Sequence, residues 1–296
     1  MYFLKKYRRG IFVKYRKHMP VMEMMLKDIN YLVLKISNYF ANNLKHKTIL
    51  VYPHYPSRGS ALYKISRILN YNVTNKPQSH YNLAVYWEYL TFREEYQFLE
   101  SIAPKTKVIN LHSRDISKVF VDKAFKKVFG YSTFIDPKTY TGKIVKKNDI
   151  NAIHDGTILQ GPVNEIEEGF IYQILINNAG PDDTVIDIRV PIVNGTIDIV
   201  YEKFKPVNDR FGHPSKSIVR KIEEMLSTGE IELLNKLCHE MQLEFGEMDV
   251  LRNKDDGKIY VIDVNNTPQF QRRLSNDDEK TALNKIAAAF KKEFLS

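Results

Sequence analysis

Residues 245–268 have the sequence FGEMDVLRNKDDGKIYVIDVNNTP, and this stretch decides the fold. Two mainly apolar runs, residues 248–251 and 259–264, flank the polar segment at residues 253–257. The Asp-Gly step that ends this segment favours the positive φ angles of a hairpin loop. The stretch therefore predicts two buried antiparallel strands joined by a turn.

Three oxygen-bearing side chains fall on this predicted hairpin. Asp263 and Asn265 are two residues apart on one strand and point to the same face, and in-register pairing brings Asp249 near that face. Buried carboxylates are unfavourable unless they are paired or bound to metal. Oxygen-only ligands suit Mg²⁺, which proteins usually share with substrate phosphates. These residues predict a magnesium site, with Mn²⁺ as an alternative ion; the competing interpretation is an ordinary hairpin whose Asp and Asn cap turns.

The pattern resembles the C-terminal metal site of the ATP-grasp superfamily, where an acidic residue and an acidic-x-Asn pair hold the magnesium of Mg-ATP. Asp249, Asp263 and Asn265 stand at those positions, with Asp263 where the family more often has glutamate. The resemblance implies ATP and Mg²⁺ as cofactors. It also implies an ATP-grasp fold of the α/β plus α+β class, with an N-terminal parallel α/β domain and two α+β subdomains clamping the nucleotide.

The resemblance extends over residues 114–270 and implies two phosphate-binding lysines. The run at 118–129 predicts a helix that ends at Gly130, a natural C-cap. Lys118 at the start of this helix matches one family lysine, with Lys123 as the alternative. The strand at 142–146 ends in Lys146, which matches the other. Lys147 and Lys143 are alternatives to it, and any of these lysines could simply be solvated.

A polar loop, NDINAIHDG at residues 148–156, follows the strand lysine. In the family such a loop folds over the phosphates. The resemblance therefore places Asn151, His154 and Asp155 where they could touch the γ-phosphate or the acceptor. This loop contains one glycine, Gly156, whereas the loop of many relatives contains more.

Two further elements continue the order of family motifs. An acidic loop leads into an apolar strand that resembles the adenine-binding hinge, whose alternative interpretation is a plain core strand. The Asp187-x-Arg189 strand is similar to one in superfamily members that ligate amino acids, and it implies that Arg189 faces the transferring phosphoryl group. The implied hinge residues are Gln173, Ile174, Leu175 and Ile176; the implied catalytic residues are Arg189, Lys146 and Arg210, with Lys203 in the same cationic lining.

The sequence predicts three regions along the chain. They are a basic, amphipathic N-terminal helical arm at residues 1–45, an N-terminal α/β domain at residues 46–112, and the ATP-grasp domain at residues 113–296. Residues 216–243 predict two helices, and residues 278–294 a final helix. In the loop after the first strand, His54, Arg58 and Ser60 could bind a ligand, but a surface turn is the favoured interpretation.

Charge and composition limit the class of protein. The 296-residue chain is 43% hydrophobic and has one cysteine, which argues against disorder and against a disulfide framework and favours the cytoplasm. The net charge is +9, and residues 1–17 contain seven Lys or Arg and no acidic residue. Such a segment can contact anionic lipid at the inner face of the membrane or an acidic partner. Nucleic acid is disfavoured because no recognition motif is found, and a solvated or subunit-packing arm is the alternative.

The resemblance implies an Mg-ATP-dependent ligase that activates a carboxylate as an acyl phosphate for attack by an amine. The NAxHDG segment resembles ATP-grasp proteins linked to cell-surface polysaccharide assembly, which implies a small-molecule or glycan acceptor. The alternatives are a kinase on the same scaffold and a non-catalytic nucleotide-binding protein.

Overall fold

A parallel four-stranded sheet forms the first part of the computed structural model, which describes residues 21–45, 47–151, 153 and 155–295. The strand order is β2-β1-β3-β4, and every pairing is parallel. Three of these strands agree with the sequence prediction, whereas the short β2 and α3 were not predicted. The elements are α1 (Val21–Ala41), β1 (Thr48–Pro53), α2 (Ala61–Ile68), β2 (Asn72–Thr74), β3 (Leu83–Trp87), α3 (Gln97–Ile102) and β4 (Val108–Ile109).

Helix α4 (Lys118–Phe129) and a three-stranded antiparallel sheet follow. The Ser117 side chain caps the helix by accepting the Phe120 N–H, and Gly130 ends it with φ of 82°. The positive φ explains why glycine stands there. The sheet order is β6-β5-β7, from β5 (Gly142–Asn148), β6 (Thr157–Gly161) and β7 (Phe170–Ile174).

A five-stranded antiparallel sheet of order β10-β9-β8-β11-β12 forms the centre of the fold. Its last two strands are the predicted hairpin, which is confirmed. The prediction of helix from residue 216 is wrong, because residues 216–221 pair with β9 as an edge strand. The elements are β8 (Thr184–Val193), β9 (Ile199–Pro206), a 3₁₀ turn (Val207–Asp209), β10 (Lys216–Lys221), α5 (Ile222–Met225), α6 (Thr228–Glu240), β11 (Phe245–Arg252), β12 (Ile259–Asn265) and α7 (Asn276–Phe294).

The central sheet buries one face under helices and leaves polar groups on the other. Met248 of β11 and Val264 of β12 belong to a core cluster that includes Phe125 of α4 and Leu234 of α6. Because side chains alternate along a strand, the residues between these apolar ones point away from the helices. A second cluster joins α7 to α2 and the parallel sheet. The sheet thus carries the predicted metal residues on the face opposite the first cluster. Phe245 and Tyr201, on the same face, belong to the second cluster and lie beside them.

Helix α1 is attached to the fold near its C-terminal end. Asn38 Nδ2 donates to Asn72 Oδ1 at 3.2 Å, and Asn42 Nδ2 donates to the Asn70 carbonyl at 2.8 Å. Residues 1–17, the predicted basic contact segment, lie outside the described residues. In the described part of the chain, no helix has the length and apolar content needed to cross a membrane.

Candidate functional site

The β11–β12 hairpin places four oxygen-bearing side chains on one face. Asp249 pairs with Asp263, and Glu247 pairs with Asn265. The register shifts after Asp249, so that Ile262 is an extra residue on β12. Such a bulge re-aims neighbouring side chains and leaves a backbone group unpaired. Glu247 was not predicted, although its position two residues before Asp249 puts it on the same face.

Arg189 and Lys203 bind the central carboxylate of this face. Arg189 lies opposite Asp249 in the β8–β11 pairing, and its Nε and Nη2 atoms each donate to an Asp249 oxygen at 2.9 Å. Lys203 Nζ donates to Asp249 Oδ1 at 2.8 Å and is 2% exposed. Burial opposes the charged form of Asp249, but these two cations outweigh it and hold the pKa of Asp249 well below its usual range.

The negative charges of Glu247 and Asp263 are neutralised less completely by nearby cations than that of Asp249. Burial raises the pKa of Glu247 to about 7, and Arg189 Nη1, 3.1 Å from Glu247 Oε1, opposes this only in part. Burial also raises the pKa of Asp263, although the charges of Lys118 and Lys147 act in the opposite direction. Two carboxylates of the face therefore favour a further cation beside them.

Lys147 and Lys146 have different surroundings although they are adjacent on β5. Lys147 Nζ donates to the Ile262 carbonyl at the bulge, at 3.2 Å, and so joins the three-stranded sheet to the central one. Lys146 instead pairs with Glu167 and lies over the Phe170 ring, 4.4 Å from its centroid. Successive residues of a strand face opposite sides. The structure thus brings Lys147, the predicted alternative, to the carboxylate face and directs Lys146 elsewhere.

Lys118 contacts the loop that follows β5. Its Nζ donates to the Ile150 carbonyl at 3.1 Å and to Asn151 Oδ1 at 3.2 Å. Asn151 Nδ2 donates in turn to the Val264 carbonyl on β12, at 3.0 Å. The loop therefore lies between the start of α4 and the hairpin. Lys123 and Lys143, the other predicted alternatives, are exposed.

The rest of this loop is held from both sides. Asp155 Oδ1 accepts the Asn148 N–H at 3.1 Å. A Cβ atom on Gly156 would lie 2.6 Å from Cδ1 of Phe211, so this close approach requires glycine. His154 lies outside the described residues.

The predicted hinge, residues 173–176, overlaps the end of β7. Gln173 Nε2 donates to Thr133 Oγ1 at 2.6 Å, so this side chain is used within the fold. The Ile174 N–H donates to the Thr133 carbonyl at 2.9 Å, and the Leu175 N–H donates to the Lys143 carbonyl at 3.2 Å. These bonds fix the backbone of the segment against β5 and the loop that precedes it.

Two backbone groups of the hinge remain available. Among the described residues, the Ile176 N–H and the Leu175 C=O have no hydrogen-bond partner, although Ile176 is buried. Arg210 Nη2 donates to the Ile176 carbonyl at 3.1 Å and to Asn178 Oδ1 at 2.6 Å. Burial lowers the pKa of Arg210. The contacts of Arg210 therefore lie at the hinge, and no side-chain contact joins it to the carboxylate face within the part of the chain described above.

Solved ATP-grasp ligases superimpose on most of this chain. D-alanine–D-alanine ligase from Bacillus anthracis matches with a TM-score of 0.52 and 12% identity over 85% of this chain and 97% of the ligase. The ATP-grasp ligase PsnB, solved with a phosphomimetic variant of its minimal precursor, Mg and ADP, matches with a TM-score of 0.53 and 12% identity. That match covers 83% of this chain and 98% of PsnB. This chain has the ATP-grasp fold. No family model and no curated protein matches the sequence.

The predicted fold class is therefore confirmed. In the ATP-grasp fold of this chain, the end of β12 contacts the loop after β1. The Phe270 N–H donates to the Gly59 carbonyl at 2.9 Å, and Ser57 Oγ donates to Gln269 Oε1 at 2.9 Å. Ser60 is buried and caps α2, which is a structural role, whereas His54 and Arg58 are exposed.

Lone pairs decide whether this ATP-grasp face can accept a divalent ion. A carboxylate offers about four lone-pair sites. Among the described residues, Asp263 accepts one hydrogen bond, Glu247 Oε2 accepts none, and Asp249 accepts three. Oxygen donors with free lone pairs suit Mg²⁺, so the residues present fit the ion. No three Asp, Glu, His or Cys side chains of the described ranges already stand in metal-binding geometry.

Proposed function

We propose that this protein is an Mg-ATP-dependent ligase, which phosphorylates a substrate carboxylate so that an amine can attack the acyl phosphate. One observation carries the proposal: the carboxylates of Asp249 and Asp263 lie beside Arg189, Lys203 and Lys147 where two antiparallel sheets meet. Structures of D-alanine–D-alanine ligase with ATP and of PsnB with Mg and ADP lend support.

The hinge provides a free hydrogen-bond donor for adenine. The Ile176 N–H can donate to a ring nitrogen, whereas the Leu175 C=O belongs to the same trans peptide and points the opposite way, so only one of the two can face the purine. Buried backbone groups are rarely left without partners. Arg210, bonded to the Ile176 carbonyl, holds this segment in place. We therefore assign Ile174, Leu175 and Ile176 to adenine binding and Arg210 to positioning, rather than to the reacting atoms.

Magnesium, when bound, neutralises the charge of the β- and γ-phosphates. We assign its binding to Asp263 and Asn265, with the one remaining lone-pair site of Asp249 and the Oε2 atom of Glu247 as further donors. Asn265 Oδ1 accepts from the N–H and the hydroxyl of Thr267, so it would release one of these bonds on binding the ion. Lys118 and Lys147 bind phosphate oxygens as point charges. They reach the phosphates from α4 and β5, opposite the hairpin.

Arg189 and Lys203 complete the proposed charge stabilisation. Lys203 is buried and Arg189 is half-buried, and Asp249 fixes both, so that they need no reorganisation when negative charge develops nearby. Catalysis of phosphoryl transfer is largely positioning and electrostatics. An absent side-chain nucleophile is therefore consistent with the reaction.

A measurement of thermal stability with and without Mg-ATP tests nucleotide binding. A ligand at 100 times its Kd stabilises by about 2.7 kcal/mol, so a clear rise in Tm is expected. Phosphate release with pooled carboxylates and amines then tests ligation, with glycan-derived acids and amino sugars as the first acceptors to screen. A phosphorylated acceptor without phosphate release would indicate a kinase, and no rise in Tm would contradict the nucleotide site.

Lys147→Met is expected to weaken Mg-ATP binding by about tenfold to a hundredfold, since a buried charge that contacts phosphate is lost. Lys146→Met is the matched control, because it removes the same charge from the neighbouring position, which pairs with Glu167. Isothermal titration calorimetry with Mg-ATP measures both affinities. An equal loss in the two variants, or a larger loss in Lys146→Met, would contradict the assignment of Lys147.

Nucleotide affinity is expected to fall as pH rises above about 8. Burial lowers the pKa of Lys147 to about 8, with Asp263 acting in the opposite direction. Nearby phosphates favour the charged lysine, so ATP binding takes up a proton above this pH and weakens by up to about tenfold per pH unit.

The stability of the nucleotide-free protein has the opposite pH dependence. The free energy of unfolding rises between pH 8 and the unfolded-state pKa of about 10.4, because the unfolded chain holds more protons than the folded one in this range. Lys147→Arg should remove the pH dependence of both ATP affinity and stability, because arginine stays charged in this range. Titrations between about pH 7 and 9.5, which span the pKa of the lysine, measure both.

A further inference from the structure

Helix α1 carries a continuous apolar face that is open to solvent. Eight side chains on this 21-residue helix are between 48% and 76% exposed. Their spacing of three and four residues confines them to about 120° of the circumference, at about 100° per residue. Scattered exposed apolar residues are ordinary, but a contiguous patch of this extent indicates an interaction surface. The side chains are Met22, Met25, Leu26, Ile29, Leu32, Val33, Ile36 and Phe40.

The opposite side of α1 attaches it to the fold. Asn38 is 8% exposed and bonds to Asn72 beside β2, and Leu34 is partly buried. Asn42, one turn further on, bonds to the Asn70 carbonyl. The helix is therefore fixed with its apolar face outward. We define this face, the eight side chains given above, as the α1 face.

The charge of the preceding segment indicates what covers the α1 face. Residues 1–17 contain seven Lys or Arg, no acidic residue, and interleaved aromatic and aliphatic side chains. A second copy of the chain would bring seven more positive charges to this region, which repel. An anionic lipid surface attracts them instead, and stable surface binding takes two signals, apolar insertion and a basic patch. Both signals are contiguous in this sequence.

We propose that the α1 face inserts into the surface of an anionic lipid bilayer. The helix then lies in the plane of the interface, as amphipathic helices with one apolar face do. The proposal is independent of the nucleotide site, because the described hydrogen bonds that attach α1 go to Asn70 and Asn72 and not to the side chains of that site.

Co-sedimentation of the full chain with lipid vesicles tests the proposal. Wild type is expected to bind vesicles of phosphatidylcholine mixed with phosphatidylglycerol, and to bind pure phosphatidylcholine weakly. Ile29→Asp with Ile36→Asp should reduce the bound fraction by about tenfold or more, since charge replaces buried apolar surface. Asn30→Asp with Ser37→Asp adds the same charge at exposed polar positions with the same spacing, and should reduce binding less than the isoleucine pair does, because it removes no apolar surface.

A second variant pair gives a positive signal without added charge. Ile29→Trp should show a blue shift of its emission with anionic vesicles, whereas Asn30→Trp should not. The native Trp87 is fully buried and gives a constant background. Circular dichroism and the Tm without ligand verify that each variant is folded.

Three results would overturn the proposal. Equal losses in the two aspartate pairs would mean that charge alone, and not the α1 face, governs binding. Absence of vesicle binding by wild type would exclude the lipid surface. A dimer in light scattering that the Ile29 and Ile36 substitutions dissociate, with vesicle binding unaffected, would assign the face to a second copy of the chain.

Discussion

Asp263→Asn is expected to abolish the magnesium-dependent part of ATP stabilisation while leaving the ligand-free protein at least as stable as wild type. Among the described residues, this carboxylate accepts one hydrogen bond, from the Val264 N–H. Burial raises the pKa of Asp263, so its charged form is unfavourable in the fold. A neutral side chain of the same shape relieves that strain but offers magnesium only a weak ligand. The substitution should therefore keep or raise the stability of the ligand-free protein while it removes the stabilisation by magnesium. A misfolded variant would instead lose both.

Thermal unfolding with EDTA, with Mg²⁺, with ATP and with both measures the prediction. About 2.7 kcal/mol of stabilisation at 100 times the Kd should disappear in Asp263→Asn. Asp182→Asn is the control, because Asp182 is exposed in a turn with φ of 50°, a conformation that asparagine also tolerates. Full retention of magnesium-dependent stabilisation in Asp263→Asn would remove this residue from the metal site.

The hairpin and α4 could be predicted because their signals are local. The turn at residues 253–257 and the apolar runs beside it specify a hairpin from neighbours in sequence. Ser117 and Gly130, which bound α4, are ordinary cap residues at the expected spacing. Glu247 was within reach of the same reasoning, since it shares the parity of Asp249. The resemblance does not point to it, because the motif contains only Asp249, Asp263 and Asn265.

Other features depend on contacts that are distant in sequence. Strand β10 exists because residues 216–221 pair with β9, and this tertiary pairing overrides a sequence that suggested helix. The choice between Lys146 and Lys147 depends on which face of β5 turns toward the bulge at Ile262, some 115 residues away. A shift of one residue in the register of β5 would turn Lys146 toward the carboxylate face and Lys147 away from it. The contact between Arg210 and the hinge likewise spans 34 residues and has no local signal.

Arg189→Met is expected to destabilise the protein by about 3–5 kcal/mol, the usual consequence of removing one partner from a buried ion pair. Asp249 loses two hydrogen bonds, and Glu247 loses its cationic partner. Lys203, with a smaller contribution from Lys205, then compensates a charge that is largely withdrawn from water. The apolar methionine fills the space without supplying any donor.

Arg220→Met is the matched control for this loss. Arg220 also binds a carboxylate, Glu202, at 2.8 Å, but its side chain is 40% exposed. Exposed ion pairs contribute about 0–1 kcal/mol to stability. Urea unfolding at pH 7.5 should therefore show a free energy of unfolding that is lower in Arg189→Met than in Arg220→Met by about 2–5 kcal/mol.

The pH dependence of the Arg189→Met loss identifies its cause. In wild type, Arg189 and Lys203 hold the pKa of Asp249 below its usual range, so the stability this carboxylate contributes is present at neutral pH and is lost as pH falls through the folded-state value. Without Arg189 the pKa of Asp249 rises, and protonation relieves the uncompensated charge. The difference between wild type and variant should therefore shrink as pH falls from 7.5 toward about 4, near the ordinary carboxyl pKa. A loss that is constant with pH would mean that packing, rather than the buried carboxylates, depends on Arg189.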